Sequence, residues 1–171
     1  MPEPQLILRN PDLSRLPPLK IPDGFSLHCH REGEEQNWED LIEEAFGGRY
    51  SFDRFIRNGG GYRPEYVLYV EKDGRDIATA TAVESSRFPG EGWLRMVGTR
   101  PCARGQGAGR LVLTACLHSL FDRGYRSALL STDDHRIPAV GLYLSLGFEP
   151  YFTDPGHPAR WEKVMEILKN R

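Results

Sequence analysis

The sequence predicts a single α/β (α+β) domain, with a mostly antiparallel central sheet, flanking helices and one parallel pair of strands around a glycine-led helix. Three observations carry this expectation. In the first half, short alternating segments are joined by an Asp73-Gly74 hairpin signal, which builds an antiparallel meander. In the second half the periodicity turns helical, and a strand–helix–strand unit begins at a glycine-rich loop. The length, 171 residues, suits one domain that buries its core without a disulfide or metal staple.

Composition narrows the function classes. Hydrophobic residues make up 39% and charged residues 27%, which is ordinary for a globular domain. With 22 basic and 24 acidic residues the formal net charge is −2, which argues against a nucleic-acid partner. The three cysteines, Cys29, Cys102 and Cys116, have no paired spacing and read as reduced thiols. No apolar run approaches the ~20 residues that span a bilayer, so no membrane partner is expected. Met1-Pro2-Glu3-Pro4 lacks the order of a signal peptide. The expected location is cytoplasmic.

Taken in order, residues 1–24 are rich in proline, with apolar residues threaded between, and read as an extended arm laid on a domain of residues 25–171. Phe25 to His30 alternates as a short strand. Asn37 is the predicted N-cap of a helix in which Trp38, Leu41, Ile42, Ala45 and Phe46 recur at helical spacing, ended by Gly47-Gly48. A short helix over Ser51 to Arg57 stops before the Gly59-Gly60-Gly61 loop. Tyr66–Glu71, Arg75–Glu84 and Trp93–Thr99 are the meander strands, with Ile77, Thr79, Thr81 and Val83 on one face. Gly107 to Arg123 is a helix with a wide apolar stripe, and Gly124 follows as its left-handed cap. Ser127–Thr132 is a buried strand. Pro138 suits the first position of a helix that runs to Leu146, Phe148–Phe152 is a further strand, and Trp161–Lys169 is a terminal helix. The helix between the third meander strand and the next is a crossover, so those two strands should run parallel.

The most informative stretch is Arg100-Pro-Cys-Ala-Arg-Gly-Gln-Gly-Ala-Gly-Arg110. A strand ends at Thr99 and a helix starts within a loop that carries three glycines and three arginines. Unpaired amides at a helix N-terminus, glycines that permit close approach and flanking cations together describe a phosphate or pyrophosphate cradle. A P-loop would place Lys-Ser/Thr after the last glycine, where Arg110-Leu111 stands. A dinucleotide fingerprint would place glycine where Arg110 stands. A zinc deaminase would need a second cysteine where Gly105 stands.

At these residues the chain resembles the GNAT superfamily of N-acetyltransferases. Its pyrophosphate loop, Gln/Arg-x-x-Gly-x-Gly/Ala, is matched by Arg104-Gly105-Gln106-Gly107-Ala108-Gly109. Its Ala-x-x-x-Tyr and Gly-Phe signature is matched by Ala139, Tyr143, Gly147 and Phe148. The resemblance covers about Phe25 to Phe152 and implies a GNAT-like sheet, an acetyl-CoA co-substrate and no metal. It implies that Arg104 and the backbone of Gly105, Gln106, Gly107, Ala108, Gly109 and Arg110 hold the pyrophosphate. Val97 and Thr99 would pair with the pantetheine on a strand splayed from its neighbour. Relatives often carry Asn where Arg136 stands. Arginine cannot accept a hydrogen bond, so Arg136 is expected to reach a phosphate or a substrate carboxylate.

The implied activity is direct acetyl transfer to a primary amine on a small molecule or peptide, by a monomer or homodimer. The alternative is a non-catalytic acyl-CoA-binding regulatory module. Tyr143 matches the family's general acid, and a tyrosine of ordinary pKa near ~10 is protonated at neutral pH. The strand before the loop carries no carboxylate, so the base is sought elsewhere. Glu84 is the first candidate, Asp134 and His135 the next, and a water chain the alternative. His28 and His30 share a strand face without a third ligand at metal-site spacing, so no metal is expected.

Overall fold

Why β4 is buried on both sides, and why β5 parts from its neighbour, determines where an opening forms in this molecule. In the computed structural model, which describes residues 1–171, the strands are β1 (Leu6–Asn10), β2 (Phe25–Cys29), β3 (Val67–Lys72), β4 (Arg75–Glu84), β5 (Gly92–Thr99), β6 (Ala128–Thr132) and β7 (Glu149–Tyr151). The helices are α1 (Glu35–Phe46), α2 (Phe52–Phe55), α3 (Ala108–Asp122), α4 (Ile137–Ser145) and α5 (His157–Lys169). The seven strands form one sheet in the order β2-β3-β4-β5-β6-β1-β7. Every neighbouring pair is antiparallel except β5 and β6, which run parallel around α3 as expected.

The meander forms as the hairpin signal predicts. Asp73 and Gly74 both have positive φ (52° and 76°), the backbone of a tight primed turn that matches strand twist. The even-numbered alanines of β4 (Ala78, Ala80, Ala82) pack into one core, while Thr79 and Thr81 are buried on the other face. That core joins one face of the sheet to α3, α4 and α5, with Leu6, Leu8, Leu94 and Leu130 meeting Val112, Cys116, Val140 and Trp161. On the opposite face Trp38, Leu41 and Ile42 of α1 pack with Phe52, Ile56, Val67 and Tyr69. A fully buried medium or large apolar side chain stabilises by about 1.5–3 kcal/mol relative to exposure, so these two layers carry the fold.

Two irregularities shape the sheet. The β4–β5 register shifts between Thr79 and Thr81, so Ala80 faces the pair Met96–Val97, and Met96 takes φ 52°. Such a bulge bends its strand and re-aims its groups. On its other side β5 pairs with β6 only at Gly92↔Ala128 and Trp93↔Leu129. From Leu94 onward the two parallel strands part, and a cleft opens between them toward their C-terminal ends.

Three segments differ from the sequence expectation. Leu6–Asn10 is a strand inside the sheet, antiparallel to both β6 and β7, and the chain from there to Gly24 lies along the α3 side, where Pro17 O meets His118 Nε2 at 2.8 Å. Helix α1 starts at Glu35, two residues before Asn37. The Asn37 side chain donates to Asp76 Oδ2 (2.6 Å) instead of capping the helix. Helix α5 starts at His157, four residues before Trp161, because Pro158 sits in its first turn, where a missing N–H costs nothing.

Candidate functional site

The loop after β5 has the geometry of an anion cradle. Arg100 N–H still bonds Ile77 O (2.8 Å), a short 3-10 turn follows over Pro101–Ala103, and α3 begins at Ala108. Gly105 and Gly107 take φ of 76° and 86°, left-handed values that side-chain-bearing residues rarely adopt. Gly107 is the N-cap and offers no capping side chain. The first helical bond of α3 runs from Leu111 N–H to Gly107 O (3.0 Å), so the helix leaves the N–H groups of Ala108, Gly109 and Arg110 unused. These amides and the positive end of the helix dipole point the same way.

Side chains frame the loop. Gln106 donates to Cys102 O (3.2 Å) and accepts from Lys72 Nζ (2.9 Å), which comes from the end of β3. Arg104 donates to Ala45 O (3.3 Å), at the C-terminal end of α1, where a cation is favoured by the dipole. Arg110 bonds Ser145 Oγ (2.9 Å), which ties α3 to α4. Arg100 is buried and pairs with Glu44, which also takes Arg75 (3.1 Å). Lys72 and Arg75 are cations that the sequence reading missed. The signal available was the hairpin, which returns β3 and β4 beside the end of β5.

The other residues singled out fall into place unevenly. Val97 and Thr99 lie on the unpaired side of β5, along the cleft. Arg136 bonds Asp133 Oδ2 (3.3 Å), and its guanidinium lies 4.5 Å from the Phe46 ring centroid, so both signature segments meet the end of α1. Tyr143 is only 6% exposed and packs edge-on to Phe148 with ring centroids 6.1 Å apart. Burial pushes its hydroxyl up to about 12, with Arg136 pulling weakly the other way.

Glu84 is not brought to the loop. It ends β4 opposite Gly92, at the other end of β5 from Thr99. Its carboxylate accepts from Gly90 N–H (3.2 Å) and from Tyr125 OH (3.4 Å). Asp134 is held by Arg160, which lowers its pKa below the usual carboxylate range. His28 and His30 both stack on Tyr69, and each imidazole is engaged: His28 Nε2 with Asp76 Oδ1 (2.6 Å), His30 Nδ1 with Tyr69 OH (2.9 Å).

Comparison with known proteins places this geometry. A profile of the Acetyltransferase (GNAT) family matches residues 31–148. A mycothiol acetyltransferase of Thermomonospora curvata is 31% identical over 150 residues, covering 82% of this chain and 50% of that protein. The Nocardia farcinica mycothiol acetyltransferase is 31% identical over 163 residues, covering 85% and 52%. The chain thus spans about half the length of the curated relatives it matches. Among solved structures, a GCN5-related N-acetyltransferase from Sphaerobacter thermophilus superposes with TM-score 0.70 at 26% identity, over 87% of this chain and 50% of that one. The ribosomal-protein-S18-alanine N-acetyltransferase of Escherichia coli shares the fold, with TM-score 0.64 at 22% identity, over 75% and 79%. No helix is long and apolar enough to cross a membrane.

Proposed function

The chain belongs to the acetyltransferase (GNAT) family, and from that premise we propose that it moves an acetyl group from acetyl-CoA to a primary amine by direct transfer. The observation that carries the proposal is the unused amide row at Ala108–Arg110 beside a cleft that opens only where β5 leaves β6.

In this reading the backbone from Gly105 to Arg110 takes the pyrophosphate, with Arg104 and Lys72 adding positive charge. Val97 and Thr99 offer backbone groups to the pantetheine arm along the unpaired side of β5. The bulge at Met96–Val97 turns an amide toward the thioester carbonyl. A preorganised donor of this kind is typically worth about 2.7–4 kcal/mol in the transition state. The amine nitrogen attacks the carbonyl carbon, the C–S bond breaks, and the thiolate leaves with the electron pair. Tyr143, still protonated at neutral pH, donates to that sulfur, the proton lost by nitrogen passes to solvent, and the Tyr143 phenolate regains a proton from solvent. Glu84, at the β4 end opposite Gly92, accepts from Gly90 N–H and Tyr125 OH and lines a cavity beside Trp93 and Arg95, and it stays the first candidate for the base, with a water chain as the alternative. Arg136 helps order the junction of α1 and α4 at the mouth of the cleft.

The curated relatives' printed activity, mycothiol acetyltransferase, supplies the first acceptor assay. The chain corresponds to about half of those proteins, so that activity is part of the proposal. Calorimetry with acetyl-CoA, desulfo-CoA and ATP tests the donor. Binding of both CoA ligands but not ATP is expected, followed by thiol release with an amine panel. No binding of either CoA ligand would refute the assignment. Binding without thiol release would favour an acyl-CoA-binding module.

A further inference from the structure

On the sheet face away from α3 there is a second concavity. Leu94 packs into the α3 core, so Trp93 and Arg95, on either side of it along β5, face the other way. With Val83 and Ser131 they floor a cavity of about 350 Å³, lined also by Gly59, Glu84 and Arg87. The last β5–β6 pair is Trp93↔Leu129. Arg95 and Ser131 therefore stand on the two lips of the cleft, and the cavity opens onto it from the side opposite the glycine loop.

Arg95 is the unusual group here. Its Nη2 donates to Ile56 O (3.0 Å) and its Nη1 to Gly59 O (3.4 Å), while its Nε is buried without a partner. Its nearest neighbours are neutral, and burial alone acts on its charge, holding its pKa below the ordinary arginine value. Among the other enclosed arginines, Arg100 pairs with Glu44, Arg9 with Glu91 and Arg160 with Asp134; Arg123 donates only to the carbonyls of Ala82 and Ser119 but lies over the Tyr66 ring and lines no part of this cavity. Thr81, directly opposite Arg95 in the β4–β5 ladder, has a buried hydroxyl that also lacks a partner. A half-buried guanidinium bonded only to neutral carbonyls is electrostatically uncompensated. Gly59 leaves room for this placement, since a Cβ there would displace the Arg95 guanidinium.

We propose that this cavity is the acceptor site and that it selects a small amine carrying a carboxylate, whose charge Arg95 neutralises with help from Arg87 at the rim. The inference rests on the transfer reading above and names its substrate class. Guanidinium matches carboxylate geometry with paired donors. The acceptor would enter from the α1–α2 face while the thioester lies in the cleft, so the two reactants meet through the opening between β5 and β6.

The test uses the intact protein saturated with CoA, and calorimetric titration with N-acetyl-L-alanine and with N-acetyl-L-alaninamide, which differ only in the charged group. The carboxylate should bind on the order of tenfold to a hundredfold more tightly, the range for hydrogen bonds to a charged partner. Arg95→Gln should abolish that preference, Arg95→Lys should restore part of it, and Arg87→Gln should reduce it a few-fold in a salt-sensitive way. Equal binding of the two probes, or binding of neither, overturns the inference. So does an Arg95→Gln protein that still binds acetyl-CoA and keeps the preference. If Arg95→Gln does not fold, the wild-type carboxylate–amide pair and Arg87→Gln decide. Acetyl-CoA affinity of the unmodified protein separates the two claims: its loss sinks the donor reading, whereas its presence without carboxylate preference sinks only this one.

Discussion

Gly107 offers a test in which stability and binding separate. It caps α3 with φ 86°, and a Cβ built there meets nothing within 4 Å. Alanine therefore adds strain without a clash. A left-handed L-residue costs roughly 1–2 kcal/mol, offset by about 0.4–1 kcal/mol from the less flexible unfolded chain. The net loss is about 1 kcal/mol, a fall in Tm of about 2–4 °C for a chain of this size. Glutamate adds a charge. Held about 5 Å from a phosphate charge at an effective dielectric of about 20, it is repelled by about 3 kcal/mol, over a hundredfold in affinity. The internal control is Gly124 at the other end of α3, with φ 99° and equally open space. Across the 15 residues of that helix it lies roughly 22 Å away. Gly107→Glu, Gly107→Ala and Gly124→Ala should melt within a few degrees of one another. Only Gly107→Glu should lose acetyl-CoA binding by calorimetry, while Gly124→Ala should bind as the parent does. A folded Gly107→Glu protein that binds acetyl-CoA within a few-fold of the parent would refute the cradle.

Three further outcomes are expected. Tyr143→Phe should lower kcat by about 10²–10⁴-fold, the usual worth of a general acid, with acetyl-CoA affinity unchanged. Because burial lifts the Tyr143 hydroxyl to about 12, the parent's kcat should show no alkaline fall from this residue below about pH 10. Unaltered turnover in a pH–rate series would remove Tyr143 from the chemistry. Burial lowers the His30 pKa from its ordinary 6.5. Between its folded value and 6.5 the unfolded chain binds more protons, so stability rises with pH through that window and is lost on acidification. Urea midpoints should drop between pH 7 and pH 5, and His30→Gln should flatten the drop. A slope that survives the substitution contradicts the assignment. Leu8→Ala, at a fully buried strand position, should cost about 2–5 kcal/mol, and a chemical melt shifted by less than 1 kcal/mol would show that β1 is not integral to the core.

The meander, the parallel crossover and the glycine loop were legible because their signals are local. Asp73-Gly74, the helical stripe of α3 and the Gly105–Gly109 run each announce themselves within a few residues. Leu6–Asn10 was not legible as a strand. Buried on both faces, Leu6-Ile7-Leu8 shows no alternation, and Pro4 and Pro11 on either side leave too short a window for a periodicity argument. Asn37 looked like a cap because its partner, Asp76 on β4, is distant in sequence. The same holds for the loop's neighbours: Lys72 and Arg75 reach it only through the hairpin. Arg95 was least readable. What distinguishes it is a buried Nε without a partner in the wall of a cavity, and that is a property of the packed molecule. Glu84 lies at the strand end away from the glycine loop, beside the cavity that Trp93 and Arg95 line.

The position of β1 has a consequence for how the chain reaches this structure. Its two hydrogen-bonding neighbours, β6 and β7, lie far toward the other end of the sequence. The meander and α3 can assemble from contacts close in sequence, but β6 and β7 have no direct ladder to each other and are joined only through β1. Closing the sheet therefore demands contacts of very long sequence separation, which carry the largest loop-closure entropy cost. The cleft between β5 and β6 is one strand away from that seam. Its far wall, β6, is held along its other edge by the earliest strand of the chain, so the shape of the cleft depends on Leu6–Asn10 although none of those residues belongs to the glycine loop.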